Sequence, residues 1–359
     1  MINIGIRNAG SPQAGELIRL LLNHPDVVLS QASLPEKRGM LLSDLHHGLL
    51  AEREMKFCDR LNEYDLDLVF VFDEESEPAD ESFAAVGDKG TIPFAAAVEE
   101  SGAAPCLGDD DDEENLPAAK IYVSPGEELL ELSAPHALIC ADDINEADEE
   151  MAKCRQDWSN VLVYGIPELN RKPLVRGCRR AVVPTAAESL AVVMLIPLLQ
   201  SHLEGEDIKL SLSGPADLVA DFSGRSRGIA GRLERIVHVL TGKDVRVDIS
   251  YSRNESQRGM RMGIELPGSC SSESLFDTYR NAYADHNLTH TFSRSLELKE
   301  VEGTDNCLIS VVDDEQGQVR VEAIADARMR GGAGDAVHVM NLLAGLYEKT
   351  GLQLKVSSF

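Results

Sequence analysis

The chain has 359 residues, and 43% of them are hydrophobic, which is enough to bury a sizeable core in two domains. Its formal net charge of −27 argues against a nucleic-acid partner, because phosphate neutralisation needs clustered lysine and arginine. No apolar run approaches the roughly 20 residues of a membrane-spanning helix, so no membrane partner is expected. The chain begins with a strand-like segment without a basic leader, which predicts a cytoplasmic protein.

The negative charge is concentrated in one segment. Between Asp73 and Glu150 there are 24 acidic residues and two lysines, so this segment carries −22 of the −27 and the remainder carries −5. The acidic run at 109–114 lacks the alternating spacing of a calcium loop, and we interpret it as a solvated loop. The seven cysteines are scattered and none has CxxC spacing, which predicts reduced thiols and no metal site.

The first 72 residues predict a Rossmann-type, doubly wound parallel sheet. A strand, an amphipathic helix and two further apolar strands follow one another, as in βαβ units. The predicted strands are 2–6, 26–30 and 66–72, and the predicted helix is 11–23.

We therefore expect a dinucleotide-binding-type domain over residues 1–160. The stretch at about 73–134 is acidic and rich in Ala, Gly, Ser and Pro, so we interpret it as an insertion. Weak strand patterns at 120–123 and 137–140 indicate that this region is not wholly disordered.

The second half of the chain predicts an α+β domain with an antiparallel sheet over residues 161–330. Several segments alternate apolar and polar residues, which is typical of strands with one buried face. The predicted strands are 180–183, 208–213, 245–251, 260–266, 307–312 and 319–325, and the predicted helices are 185–203, 271–284 and 333–349.

The turn after the first strand is the candidate nucleotide loop. Such a turn needs glycines for the tight turn and for close approach to the pyrophosphate, and the candidates here are Asn8, Gly10, Ser11 and Gly15. Asparagine tolerates a positive φ, but the Ser11 side chain and the missing N–H of the following proline hinder a phosphate. The alternative is an ordinary turn in which Ser11 caps the helix.

The end of the second strand bears on the choice of cofactor. It leads to Ser33 with no acidic residue to hold a ribose diol, and Lys37 and Arg38 follow. If a cofactor binds beside Ser33, this pattern favours NADP over NAD.

Two segments, VYGIPELNR at 163–171 and GDAVHVMNL at 334–342, together with the start of the chain at 5–25, resemble the N-acetyl-gamma-glutamyl-phosphate reductase family. The resemblance covers 1–72, 135–212 and 245–359. It implies an NADPH-dependent reduction of an acyl phosphate, an acyl-amino-acid ligand and a homo-oligomer. It also implies that residues 331–359 return to the first domain, with Asn341 near the nicotinamide or in helix packing.

In the resembled family a cysteine thiolate at a helix start attacks the acyl carbon. One alignment places Val182 at this position and another places Ala186, and neither side chain is a nucleophile. The family's acid/base histidine has no counterpart at 222–229, whereas Arg258 matches an arginine that contacts substrate. We therefore predict a diverged paralogue without the activity, which binds a metabolite or assembles with a partner. The alternative is an active reductase that uses Cys178.

Overall fold

The computed structural model describes residues 1–49, 54–72, 118–133, 162–201, 207–266, 271–314 and 317–356. Within these ranges the chain forms two six-stranded sheets. The acidic run at 109–114 and the predicted strand at 137–140 lie outside the described residues. No helix of the described part is long and apolar enough to cross a bilayer.

The first sheet is parallel throughout, as predicted for a doubly wound fold, and its strand order is β2-β1-β3-β4-β6-β5. Its strands read as nearly continuous apolar runs because helices cover both faces of such a sheet. Every residue of the third strand is buried. The strands are β1 Ile2–Arg7, β2 Val27–Ala32, β3 Leu68–Phe72, β4 Ala119–Val123, β5 Leu162–Tyr164 and β6 Arg180–Val183.

Strand β4 lies in the middle of this sheet, between β3 and β6. Ile121 and Val123 are completely or almost completely buried there. The described end of the segment assigned to an acidic insertion is therefore part of the core. The same sheet also continues through β5 and β6 to Val183, past residue 160.

The second sheet is mixed, with strand order β10-β11-β12-β9-β7-β8. Strands β11, β12, β9 and β7 pair antiparallel in that order, as predicted. The two edge strands, β8 and β10, pair parallel to their neighbours, so the predicted antiparallel pairing holds for the four central strands and not for the edges. Alternation of apolar residues predicts which face is buried but not the direction of the neighbouring strand. The strands are β7 Asp207–Gly214, β8 Arg246–Arg253, β9 Gly259–Leu266, β10 Thr289–Phe292, β11 Cys307–Asp313 and β12 Val319–Asp326.

The helices follow the sequence signals closely at their starts. Ser11 and Ser271 cap two of them through side-chain oxygens that accept from backbone N–H groups, as predicted for Ser11. The last helix stops at Leu343, six residues before the predicted end, and Gly345 just beyond it adopts a left-handed φ of 66°. The α-helices are α1 Pro12–Leu22, α2 Leu42–Leu45, α3 Glu127–Ser133, α4 Pro167–Val175, α5 Ala186–Ser201, α6 Ala216–Gly224, α7 Ser226–Thr241, α8 Ser272–Ala282 and α9 Gly334–Leu343.

The described residues form two large apolar cores, one with each sheet, and two smaller clusters. Helices α5 and α7 pack in the core of the second sheet. Helix α9 follows the last strand of the second sheet, yet Val337, Val339 and Met340 are buried with Ile4 and Ile6 of β1 in the core of the first sheet. The C-terminal helix therefore packs with the first sheet.

Candidate functional site

The turn after β1 lies at the carboxyl edge of the first sheet, where ligands bind in doubly wound folds. Asn8 adopts a left-handed φ of 56°, and its Nδ2 donates to the carbonyl of Phe72 at the end of β3 over 3.1 Å. A Cβ atom on Gly15 would lie 2.6 Å from Nδ1 of His46, and one on Gly10 would lie 3.2 Å from Leu34. A side chain at position 15 would thus displace His46, and one at position 10 would fit only if Leu34 shifted slightly.

The backbone N–H groups of this turn are largely engaged within the protein. The N–H of Ala9 donates to the carbonyl of Ser33 over 3.0 Å, and that of Ala14 donates to Oγ of Ser11 over 3.1 Å. Pro12 has no N–H to offer. Ser33 itself is 3% exposed and lies beside the turn, where its own N–H donates to the carbonyl of Ile6. A diphosphate would have to displace the Ser11 cap to reach the helix N–H groups.

The two positions aligned with the family nucleophile are both inside the fold. Val182 lies on β6 and is completely buried, and its carbonyl accepts from the N–H of Gly165 over 2.6 Å. Ala186 opens α5 and is 2% exposed. A Cβ on Gly331, whose φ is 64°, would lie 2.1 Å from the backbone nitrogen of Ala186. Residue 331 must therefore be glycine for its segment to pack directly on the start of α5.

A carboxylate occupies the first turn of α5. Oε2 of Glu188 accepts from the Thr185 hydroxyl over 2.7 Å and from the Thr185 N–H over 3.3 Å. Its other oxygen accepts from Nε of the fully buried Arg232 over 2.5 Å. The carboxylate of Glu188 thus compensates the partial positive charge at the N-terminus of α5. The Thr-x-x-Glu string at 185–188 could have revealed this cap, but no sequence signal pointed to Arg232.

Cys178 lies at the opposite, amino edge of the first sheet. It precedes β6 and borders a pocket of roughly 450 Å³ with Met1, Asp67 and Leu343. It is 5% exposed, and burial raises the pKa of its thiol to about 11 although the thiol donates to the Arg180 carbonyl over 3.2 Å.

The other described cysteines are not activated thiols either. Burial raises the pKa of Cys307 to about 12 and also raises that of Cys58. A catalytic thiol needs the opposite shift, because the thiolate is the nucleophile.

Arg258 connects the two halves of the molecule. Its Nε donates to Asp326 of β12 over 2.6 Å, and Nη1 donates to Glu16 of α1. Nη2 is buried without a hydrogen-bond partner among the described residues. The arginine predicted to contact substrate therefore has two of its nitrogens in ion pairs and one that could still donate to a ligand.

Asn341 is used in packing at the other end of α1. Its Oδ1 accepts from Nε2 of His24 over 3.0 Å, and its Nδ2 donates to the carbonyls of Glu348 and Thr350 over 3.0 and 2.9 Å. The full length of α1 separates His24 from the candidate nucleotide turn. In this position Asn341 fastens the C-terminal segment to the first domain.

A second buried ion-pair cluster, which the sequence analysis missed, surrounds Arg330. This arginine is completely buried and lies 2.8 Å from Glu168 and 3.5 Å from Asp335, and its Nε donates to the Ser189 hydroxyl over 2.8 Å. Burial alone would raise the pKa of Glu168, but the guanidinium lowers it to about 2. Glu168 is therefore ionised at neutral pH.

The two-domain architecture is that of the aspartate-semialdehyde dehydrogenase fold. The chain superposes on aspartate-semialdehyde dehydrogenase II from Vibrio cholerae, complexed with ASA, with a TM-score of 0.55, 11% identity and coverage of 97% of this chain and 99% of that chain. It superposes on the NADP complex of the Candida albicans enzyme with a TM-score of 0.57, 12% identity and coverage of 96% and 98%. No family model matches the sequence.

Full-length sequence relatives point to one family within this fold. The chain is 26% identical over 377 residues to N-acetyl-gamma-glutamyl-phosphate reductase from Phocaeicola vulgatus, and it covers all of both sequences. It is 23% identical over 378 residues to the protein of the same name from Bacteroides fragilis, again with complete coverage. These full-length likenesses support the N-acetyl-gamma-glutamyl-phosphate reductase family that the sequence segments predict.

Proposed function

We propose that the chain is a catalytically inactive member of this reductase family that works as a ligand-binding or assembly subunit. The observation that carries the proposal is the first turn of α5. Val182 and Ala186 stand at the two positions aligned with the nucleophile, and Glu188 caps the turn with a carboxylate. A negative charge there disfavours both a thiolate and an incoming acyl phosphate.

The alternative nucleophile, Cys178, is disfavoured by its position and by its ionisation. With a pKa of about 11, only about one thiol in 10⁴ is ionised at neutral pH. The side chain also lies at the edge of the sheet opposite the turn of Asn8 and Gly10. An acyl group held near that turn would be out of its reach.

We further propose that NADP binding is weakened. The residues of the turn fit a diphosphate poorly, because Ser11 satisfies a helix N–H and Pro12 supplies none. When bound, NADPH would supply the hydride for acyl reduction. In this chain the residues left to hold it are Asn8, which keeps the turn geometry, and Ser33 beside the turn.

The predicted ligand of such a subunit is a small acyl-amino acid. Arg258 offers one buried nitrogen without a described partner, and a carboxylate of the ligand would satisfy it. A homo-oligomer is the predicted assembly.

Turnover measured in the reverse direction tests the proposal. Wild type, Cys178→Ser and the matched control Cys58→Ser are given N-acetylglutamate semialdehyde, phosphate and NADP, and NADPH formation is followed. We expect no turnover in any sample. Turnover that disappears only in Cys178→Ser would establish the alternative, and turnover in all three would show another nucleophile. Either result overturns the inactive assignment.

Two binding titrations test the remaining parts. NADPH fluorescence should not saturate at concentrations that saturate an active family member, and tight binding would refute the weakened site. Calorimetry with N-acetylglutamate should give saturable binding that Arg258→Met removes. A loss equally large in Arg294→Met, at a surface arginine that pairs with Glu300, would refute the role of Arg258.

A further inference from the structure

Three potential metal ligands meet at the start of α9. Asp335 and His338 are three residues apart on this helix and therefore share a face. Asp305 precedes β11, and its Oδ1 lies so close to Gly334 that a Cβ there would be 2.2 Å away. One ligand atom of each residue lies within 4.8 Å of the other two. None of the three residues is more than 3% exposed.

Four buried polar atoms in this cluster lack hydrogen-bond partners among the described residues. Both oxygens of Asp305, Oδ1 of Asp335 and Nδ1 of His338 are buried and make no hydrogen bond with any described residue. Buried polar atoms are almost always paired, since an unpaired one keeps the full cost of its lost hydration. All four atoms can act as acceptors, and a cation that took one ligand atom from each residue would satisfy part of this set.

A carboxylate faces one ring nitrogen of His338. Nε2 lies 3.3 Å from Oε2 of Glu348, and this carboxylate also pairs with Arg171 over 3.3 Å. A metal-bound imidazole that donates from Nε2 to Glu348 would use its Nδ1 lone pair for the ion. A carboxylate that orients the distal nitrogen is the usual support of a metal-binding histidine.

Carboxyl groups outnumber guanidinium groups among the described residues of this cluster. The buried guanidinium that faces it is that of Arg330, which lies 2.8 Å from Glu168 and 3.5 Å from Asp335. With Asp305 there are thus three carboxyl groups beside one guanidinium.

We propose that Asp305, Asp335 and His338 bind a divalent transition-metal ion, with Zn²⁺ as the ion that the ligands suit best. Two carboxylates and one imidazole are hard to reconcile with Mg²⁺ or Ca²⁺, which take oxygen ligands, and they suit Zn²⁺ with water or a second carboxylate oxygen as fourth ligand. The buried ion enters as the chain folds. It fastens α9 to the segment that enters β11.

The competing arrangement is a proton shared by Asp305 and Asp335. Asp305→Asn separates the two, because the substitution keeps the side-chain shape and removes one charge. If the metal is bound, this variant loses a ligand and its Tm falls. If a proton is shared, the variant relieves repulsion and its Tm rises.

The experiment uses untagged full-length protein, so that no affinity tag carries metal. Metal content is measured by mass spectrometry for wild type, Asp305→Asn and His338→Gln, with the exposed His238→Gln as matched control. We expect roughly one zinc ion per chain in wild type and control, and loss of nearly all of it in the two ligand variants.

A refolding arm supplies an independent readout. Each protein is unfolded and refolded with Zn²⁺ or with a chelator, and Tm is recorded. Wild type and His238→Gln should gain several degrees with Zn²⁺, and the ligand variants should gain nothing. Substoichiometric metal in wild type, equal Tm values with and without Zn²⁺, or a raised Tm in Asp305→Asn would each overturn the proposal.

Discussion

Replacing Glu168 by glutamine should destabilise the protein strongly, because it removes one partner of a buried ion pair while keeping the side-chain shape. Glu168 lies 2.8 Å from Arg330, and both side chains are at most 1% exposed. The pKa of Glu168 falls from 4.5 to about 2, and about 1.4 kcal/mol per unit gives a loss of about 3 kcal/mol. Losing one partner of a buried pair typically costs about 3–5 kcal/mol, which agrees in scale.

The effect should depend on pH in one direction. The folded-state pKa of Glu168 is depressed, so its contribution is present above the unfolded value of 4.5 and is lost as pH falls through about 2. Glutamine cannot titrate. The difference in unfolding free energy between wild type and Glu168→Gln should therefore shrink as pH falls from about 7 to about 3.

Urea unfolding followed by circular dichroism at both pH values measures this difference. The matched control is Glu265→Gln, since Glu265 pairs with Arg320 over 3.0 Å but is 62% exposed. The control should lose less than about 1 kcal/mol. A Glu168→Gln effect as small as that of the control, or one that does not change with pH, would refute the assignment of the buried pair.

Three further outcomes follow from the geometry. Gly331→Ala should lower the free energy of unfolding in urea by several kcal/mol more than Gly345→Ala. Both glycines have a left-handed φ, but of the two only Gly331 lacks space for a Cβ. Equal losses would contradict the close approach of Gly331 to α5. Iodoacetamide near neutral pH should alkylate Cys58 before Cys178, because Cys178 is more deeply buried. Peptide mapping of the alkylated protein measures the order. The reverse order would show that Cys178 is accessible. Ser11→Ala should lower unfolding free energy by about 1 kcal/mol, and an unchanged value would mean that the cap is not formed in solution.

Local features of the first domain could be predicted from residue types. Asparagine tolerates a left-handed φ, and Asn8 has one. A serine before Pro12 is a strong N-cap signal, and Ser11 makes the expected hydrogen bond. The parallel sheet followed from apolar strands separated by a helical pattern. In each case the information lies within a few neighbouring residues.

The features that define the candidate site depend on contacts between distant residues. Arg330 meets Glu168 from a distant part of the chain, and arginine is ordinarily expected at the surface, so the residue type gave no reason to predict its burial. Arg232 meets Glu188 in the same way. The parallel pairing of β7 and β8 could not be predicted either, because the alternation of apolar and polar residues does not encode strand direction. Cys178 was only the alternative nucleophile, chosen because it is near the aligned positions in the sequence, whereas the fold places it at the amino edge of the first sheet.

The position of α9 has a consequence for synthesis of the chain. Ile4 and Ile6 are synthesised before Val337 and Met340, which pack with them. The face of the first sheet that α9 helps to cover is therefore completed only after the second sheet has been synthesised, and such long-range closure slows folding. A nascent or truncated chain that ends before Gly334 would expose that face, and would be a natural client for chaperones and proteases.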